Sequence, residues 1–118
     1  MIGIGCDLCK VDRMERALEK PRFLLRVFTP LEQKYIAEKG AQTAAGIWAA
    51  KEACAKALGS GFAGFSLTEI EVLHAENGKP QIALHGGAEA RLQALGGTRA
   101  HISISHEMGL ALAFCVLE

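Results

Sequence analysis

The stretch from Gln42 to Gly59 limits the fold of this chain more than any other. Alanine, lysine, glutamate and leucine dominate it, all strong helix formers, and Gly59 sits where a left-handed glycine closes a helix at little cost. A helix is expected from Gln42 or Thr43 to about Leu58. Trp48, Glu52 and Lys56 are spaced i,i+4 and stand in one row along it, with Lys51 beside the row. A solvated surface helix with one Glu–Lys pair has the same spacing, and such a pair stabilises by roughly 0.2–0.5 kcal/mol. The tryptophan and the alanine-rich remainder favour a helix packed closely on other elements, its charged row lining a crevice.

The chain has 118 residues, enough for a single domain over 1–118 with a thin core. Thirteen basic and thirteen acidic residues cancel, which argues against a general nucleic-acid binder but leaves room for local patches. The distribution is uneven: Lys10 to Arg26 carries six basic and three acidic residues. The apolar start is interrupted by Asp7 and Lys10, unlike a signal peptide. No apolar run approaches the roughly 20 residues of a membrane span. Four cysteines without a disulfide-like spacing point to a reducing, cytoplasmic setting.

Ile2 to Leu8 reads as a strand with Ile2, Ile4, Cys6 and Leu8 on one face and Gly3, Gly5 and Asp7 on the other. Glycines in a strand mark a place where backbone or ligand comes close. The dinucleotide fingerprint needs a third glycine opening a helix, so Gly3-x-Gly5 does not qualify. Asp7 is either a turn or cap residue or a metal ligand held on a rigid strand. Cys6-x-x-Cys9 has no second pair to complete a zinc site, and packing is its default role. Asp12 with Glu15 has the spacing of a capping box for a short helix through Met14, Ala17 and Leu18. Arg13, Arg16, Lys20, Arg22 and Arg26 surround apolar Met14 and Phe23, giving either a solvated basic face or a docking surface for an acidic partner. Thr29-Pro30-Leu31-Glu32 is a helix start with a cap, a proline at the first position and a capping-box glutamate; Gly40 ends that helix.

Gly59 to Phe65 is a glycine-rich loop whose amides and Ser60 could cradle a phosphate, although it lacks the ending of a P-loop. A strand from Ser66 or Thr68 to Leu73 is followed by Asn77-Gly78, expected as a type I′ hairpin turn, and by a returning strand from Pro80 to Leu84. Ala88 to Leu95 is helical. Ala100 to Ser105 alternates, His106 ends that strand, and Leu110 to Leu117 is an almost wholly apolar strand.

Several of these segments, in this order, resemble the motifs of the holo-acyl-carrier-protein synthases. They are Gly3-Ile4-Gly5-Cys6-Asp7 with Arg13, Phe28-Thr29-Pro30-Leu31-Glu32, Trp48 to Gly59, Asn77-Gly78-Lys79-Pro80 and Ser103-Ile104-Ser105-His106. The resemblance covers nearly the whole chain. Ile47 departs from it, standing where members often carry an arginine.

The resemblance implies an α+β domain with a curved antiparallel sheet packed against helices. It implies transfer of 4′-phosphopantetheine from coenzyme A to a serine of apo-acyl carrier protein, with release of adenosine 3′,5′-bisphosphate. It implies Mg2+ and a homotrimer with sites at subunit clefts. Asp7 and Glu52 become the expected metal ligands, since hard cations take carboxylate oxygen, and Lys56 joins them as a catalytic residue facing phosphate. Lys51, Lys56, Ser60, Gly61, Ser105 and His106 become expected coenzyme A contacts. Arg13, Met14, Arg22, Phe23 and Arg26 become the expected carrier-protein surface. The proton acceptor for the serine stays open between a metal-oriented water, Glu52 and another carboxylate. The alternative is a carrier-binding module without catalysis.

Overall fold

The computed structural model describes residues 1–59 and 64–118. Its centre is the expected long helix, α4 (Ala41–Leu58), in which twelve of eighteen residues are buried, far more than a surface helix would bury. Strand β1 (Gly3–Lys10) lies directly on it. A Cβ placed on Gly5 would sit 2.1 Å from the Ala53 carbonyl oxygen, and one on Gly3 2.4 Å from that of Ala57. The two glycines thus leave room for a helix backbone, and Asp7, next on the same strand face, is delivered to the helix surface.

The sheet β1–β5–β4 is antiparallel. Strand β5 (Leu110–Leu117) is central and buries Ala111, Ala113, Cys115 and Leu117 against α4. Strand β4 (Ala100–Glu107) pairs on its other side, with Ile104 opposite Ala113. A second antiparallel pair, β2 (Ile70–His74) and β3 (Pro80–Leu84), runs alongside β4 without ladder hydrogen bonds to it. The antiparallel sheet packed against helices is as expected, although it is divided between these two hydrogen-bonded units.

Helices α1 (Val11–Leu18), α2 (Pro21–Val27) and α3 (Pro30–Lys39) follow β1, and α5 (Gly86–Ala94) follows β3. The α3 capping box forms: Thr29 Oγ1 accepts the Glu32 amide at 3.2 Å, and Glu32 Oε1 accepts the Thr29 amide at 2.8 Å. The one at Asp12 does not. Helix α1 begins at Val11, one residue before it, so Asp12 lies in the first turn, where it complements the helix dipole, and Lys10 takes the cap position with no side-chain bond.

The β2–β3 turn also differs from expectation. Asn77 keeps a negative φ, whereas Gly78 takes φ +86°, and the Gly78 amide donates to the Ala75 carbonyl. This is a turn centred on Glu76-Asn77 with glycine in the following left-handed position, the three-residue hairpin loop in place of type I′. The strand expected from Ser66 or Thr68 begins at Ile70, because a 3-10 turn, Leu67–Glu69, precedes it and Glu69 turns back to hold the Ser66 amide.

Candidate functional site

Asp7, Glu52 and Lys56 come together where β1 crosses the middle of α4. Lys56 Nζ lies 3.1 Å from Asp7 Oδ1 and donates to the Cys6 carbonyl at 3.0 Å. Asp7's side chain is 18% exposed and that of Lys56 56%, so the ammonium sits at the rim, with one of its three donors unused among the described residues. Its hydrogen bond to Asp7, and then the Asp7 charge, raise the Lys56 pKa. Glu52 is half-buried and, among the described residues, has no hydrogen bond or ion pair. Burial first, and the Asp7 charge second, push its carboxyl above the ordinary carboxylate value, with Lys56 pulling the other way. Two carboxylates thus crowd one rim, with the Lys56 ammonium paired to Asp7.

Among the described residues no group of three or more His, Cys, Asp or Glu side chains gathers as a metal cage. Two carboxylates with an open side are the donor set of Mg2+, which keeps waters and takes its remaining oxygens from substrate phosphates. The residues present fit that ion.

Lys51 requires a correction. Expected near phosphate, it is fully buried and turned inward, its ammonium 2.7 Å from Glu32 Oε1 and donating to the Leu67 and Ile70 carbonyls at 2.9 and 2.7 Å. All three donors are spent inside the fold. Glu32 Oε2 accepts the Val72 amide at 2.7 Å, so the pair ties α3, α4 and β2 together. Burial lowers the Lys51 pKa and the Glu32 charge opposes that shift. The sequence signal for Glu32 was its capping position; nothing in the spacing revealed its second partner forty residues on.

The Cys6–Cys9 pair is split by strand alternation: Cys6 is exposed on the outer face and Cys9 is buried on the inner, so the two cannot act as a dithiol. Cys9 instead floors a cavity of about 100 Å³ beside the carboxylates, walled by Arg13, Phe23 and Trp48. Burial pushes its thiol up, with Arg13 opposing and Asp7 and Glu52 adding. Phe23 packs on Trp48 at 5.7 Å between ring centroids. Of the expected docking residues, Arg13, Arg22 and Arg26 are exposed and Phe23 is half-buried. Met14 is buried in the core, because α1 turns it toward α4, and it is not a surface anchor.

Ser105 and His106 are also divided. Ser105 faces outward from β4. His106 turns back to the start of α4, its Nε2 donating to the Gln42 carbonyl at 2.9 Å. It lines a cavity of about 220 Å³ with Thr43, Gly46, Gly78, Pro80 and Ile104. The Asn77–Pro80 and Ser103–His106 motifs meet there, a convergence that spacing alone could not reveal. Ser60 and Gly61 lie outside the described residues.

Thr43 precedes Glu52 by nine residues, about 13 Å along the helix axis and half a turn round it. The cavity and the carboxylate row therefore occupy opposite sides of α4.

Known proteins match this chain from end to end. The profile of the 4′-phosphopantetheinyl transferase superfamily matches residues 3–115. The holo-[acyl-carrier-protein] synthase of Solidesulfovibrio magneticus is 46% identical, covering 98% of this chain and 97% of the relative. That of Halorhodospira halophila is 45% identical, covering 98% and 95%. The crystal structure of the Neisseria meningitidis synthase superposes with a TM-score of 0.89 at 32% identity, covering 100% of this chain and 98% of that one. The Helicobacter pylori synthase in complex with coenzyme A gives 0.86 at 30% identity, covering 98% and 99%. With the carboxylate row, the glycine-seated strand and the matches all spanning the same residues, the chain belongs to the 4′-phosphopantetheinyl transferase superfamily and, within it, to the holo-acyl-carrier-protein synthases.

Proposed function

We propose that this chain is a magnesium-dependent, homotrimeric holo-acyl-carrier-protein synthase of the cytoplasm. It moves 4′-phosphopantetheine from coenzyme A to a serine of apo-acyl carrier protein and releases adenosine 3′,5′-bisphosphate. Glu52 carries the metal reading. It is a half-buried carboxylate with no polar partner among the described residues, facing the charge of Asp7. A hard cation between Glu52 and Asp7 relieves that repulsion. Mg2+ bound there supplies charge neutralisation and orientation at the pyrophosphate.

The protein's own groups do the rest. Asp7 and the Cys6 carbonyl hold the Lys56 ammonium at the rim, where its remaining donor meets phosphate oxygen and stabilises charge that develops on the leaving group. The cavity at His106 takes the nucleotide of coenzyme A, with Ser60 and Gly61, which lie outside the described residues, as further phosphate contacts.

A second copy completes the site. An adenosine and its adjoining pyrophosphate cannot pass through α4, yet the cavity and the carboxylates lie on opposite sides of it. The outer sheet face supplies the contact between copies: Ile4, Leu8 and Phe114 are 58%, 62% and 45% exposed. Cys6 stands opposite Phe114, and Leu8 opposite Leu112, so the apolar side chains form one patch. Head-to-tail packing of such copies closes as a ring. Arg13, Arg22 and Arg26 with Phe23 receive the acidic carrier beside the Cys9 cavity, next to Asp7 and Glu52. Four free cysteines suit a reducing compartment.

The test is the intact mass of apo-acyl carrier protein after incubation with the chain, coenzyme A and Mg2+. A gain of one phosphopantetheinyl group is expected. Carrier binding without mass gain would identify a non-catalytic module and overturn the assignment.

A further inference from the structure

The 220 Å³ cavity has one wall to which no part of the reaction has yet been assigned. Tyr35 on α3 and His74 at the end of β2 both line it, and their rings stack with centroids 4.0 Å apart and planes 10° apart. Lys39 Nζ lies 5.9 Å from the Tyr35 centroid. The tyrosine ring is thus held by two neighbours, and it in turn fixes the plane of the imidazole.

The two parts of the cavity lining differ chemically. His106 directs one ring nitrogen to the Gln42 carbonyl and stands by Thr43 and the α4 backbone, a polar edge suited to sugar and phosphate. Tyr35 and His74 give the same cavity an aromatic part. Burial lowers the His74 pKa, which keeps the ring neutral near pH 7 and makes it a poor phosphate ligand but a good stacking surface. The volume is below the roughly 300–1,000 Å³ of whole-ligand pockets and suits one fragment of a larger molecule.

We propose that His74 is the base-recognising residue for the donor nucleotide, offering its ring as the platform on which adenine stacks, and that Tyr35 is the positioning residue that holds His74 in that plane. This rests on the reading that the His106 cavity receives the coenzyme A nucleotide. Neither ring touches the transferred group, so the pair sets affinity and base choice without entering the chemistry.

The experiment compares adenosine 3′,5′-bisphosphate and cytidine 3′,5′-bisphosphate as competitive inhibitors. They carry the same phosphates and differ in base. The larger purine gains more from stacking, and replacing the platform by alanine costs about tenfold in affinity. In His74→Ala the inhibition constant of the adenosine compound is expected to rise about tenfold, and that of the cytidine compound, with its smaller ring, by a clearly smaller factor. The Michaelis constant for coenzyme A rises with the former, while kcat at saturating coenzyme A stays unchanged. His74→Phe, which keeps a flat ring, restores adenosine binding. Tyr35→Leu reproduces the loss in weaker form.

His74→Leu, similar in bulk but without a π-face, carries the same test if the alanine variant loses its fold. Equal weakening of both nucleotides, no weakening of either, or failure of phenylalanine to rescue would each overturn the proposal while leaving the transferase assignment intact. A wild-type chain that transfers nothing and binds neither nucleotide would overturn both.

Discussion

Gly5 is where the account is most exposed to a single methyl group. A Cβ at Gly5 would stand 2.1 Å from the Ala53 carbonyl oxygen and 2.8 Å from the Ala57 amide nitrogen, both backbone atoms that cannot swing aside. Ordinary contact begins at 3.4 Å, so Gly5→Ala must separate β1 from α4 by about 1.3 Å, the difference between 3.4 and 2.1. Overpacking of this kind costs about 1–3 kcal/mol, or roughly 4–12 °C in melting temperature for a domain of this size.

The same separation opens directly between Asp7, two residues along on β1, and Glu52, next to Ala53 on α4. A displacement near 1 Å costs on the order of 10²-fold in rate. Carrier mass gain against time, titrated with Mg2+ at fixed protein concentration, reads the effect. The expected result is a folded variant about 10²-fold slower, with a raised Mg2+ requirement. Gly96→Ala is the control: φ +82° at Gly96 strains an alanine but nothing lies within 4 Å, so stability falls without disturbing the site. A Gly5→Ala chain with normal rate and Mg2+ dependence would refute the reasoning that glycine-seated packing sets the carboxylate spacing.

Four further outcomes are expected. Glu52→Gln and Asp7→Asn are each expected to reduce transfer by at least about 10²-fold and, in calorimetry, to abolish the rise in melting temperature expected when Mg2+ is added to the unaltered chain. Lys51→Met leaves the Glu32 carboxylate buried without its cation and costs about 3–5 kcal/mol in urea unfolding, while any folded fraction keeps its coenzyme A Michaelis constant. Glu71 is pushed up by burial but pulled further down by hydrogen bonds from Thr29 and His85 and by the nearby His85 and Lys51 charges, so its pKa is net depressed from 4.5. Its stabilisation is therefore present above pH 4.5 and lost as pH falls below it, and Glu71→Gln gives a shallower acid limb in stability measured against pH. Phe114→Lys places a charge in the middle of the apolar outer face and is expected to reduce the mass seen by light scattering from that of the proposed trimer to that of a monomer.

Much of the fold was legible because local chemistry and tertiary demand agree. The capping box at Thr29, the proline after it, the glycines at 40 and 59 and the alternation of β4 each say in sequence what they do in space. The i,i+4 spacing of Glu52 and Lys56 was legible on the helix, whereas the meeting of Asp7 with them was implied only by the family resemblance, the strand glycines by themselves marking no more than a close approach. Disagreements arose where a side chain's partner lies far along the chain. Lys51 and Glu32 each look like ordinary helix-surface charges, and only the fold shows that they neutralise one another in the core.

Met14 was read from its neighbours' charges as a surface anchor, when its helical phase buries it. Ser105 and His106, adjacent in sequence, serve opposite faces because strand alternation separates what a motif joins. The His106 cavity draws on α3, α4, both hairpins and no shared periodicity, so Tyr35 and His74 carried no signal in sequence.

The central claim is that each reaction site takes its carboxylates from one copy and its nucleotide cavity from another. The direct measurement is complementation between two inactive chains, read as carrier mass gain. Glu52→Gln removes the proposed metal ligand; Thr43→Trp fills the cavity. Each alone is expected to be silent. After the two are dissociated and reassembled together, with exchange checked by native mass, random mixing leaves about one cleft in four with an intact row facing an intact cavity. Transfer should then return to about a quarter of the unaltered rate. If one protomer held the whole site, every site would carry a lesion and the mixture would stay silent, contradicting the account.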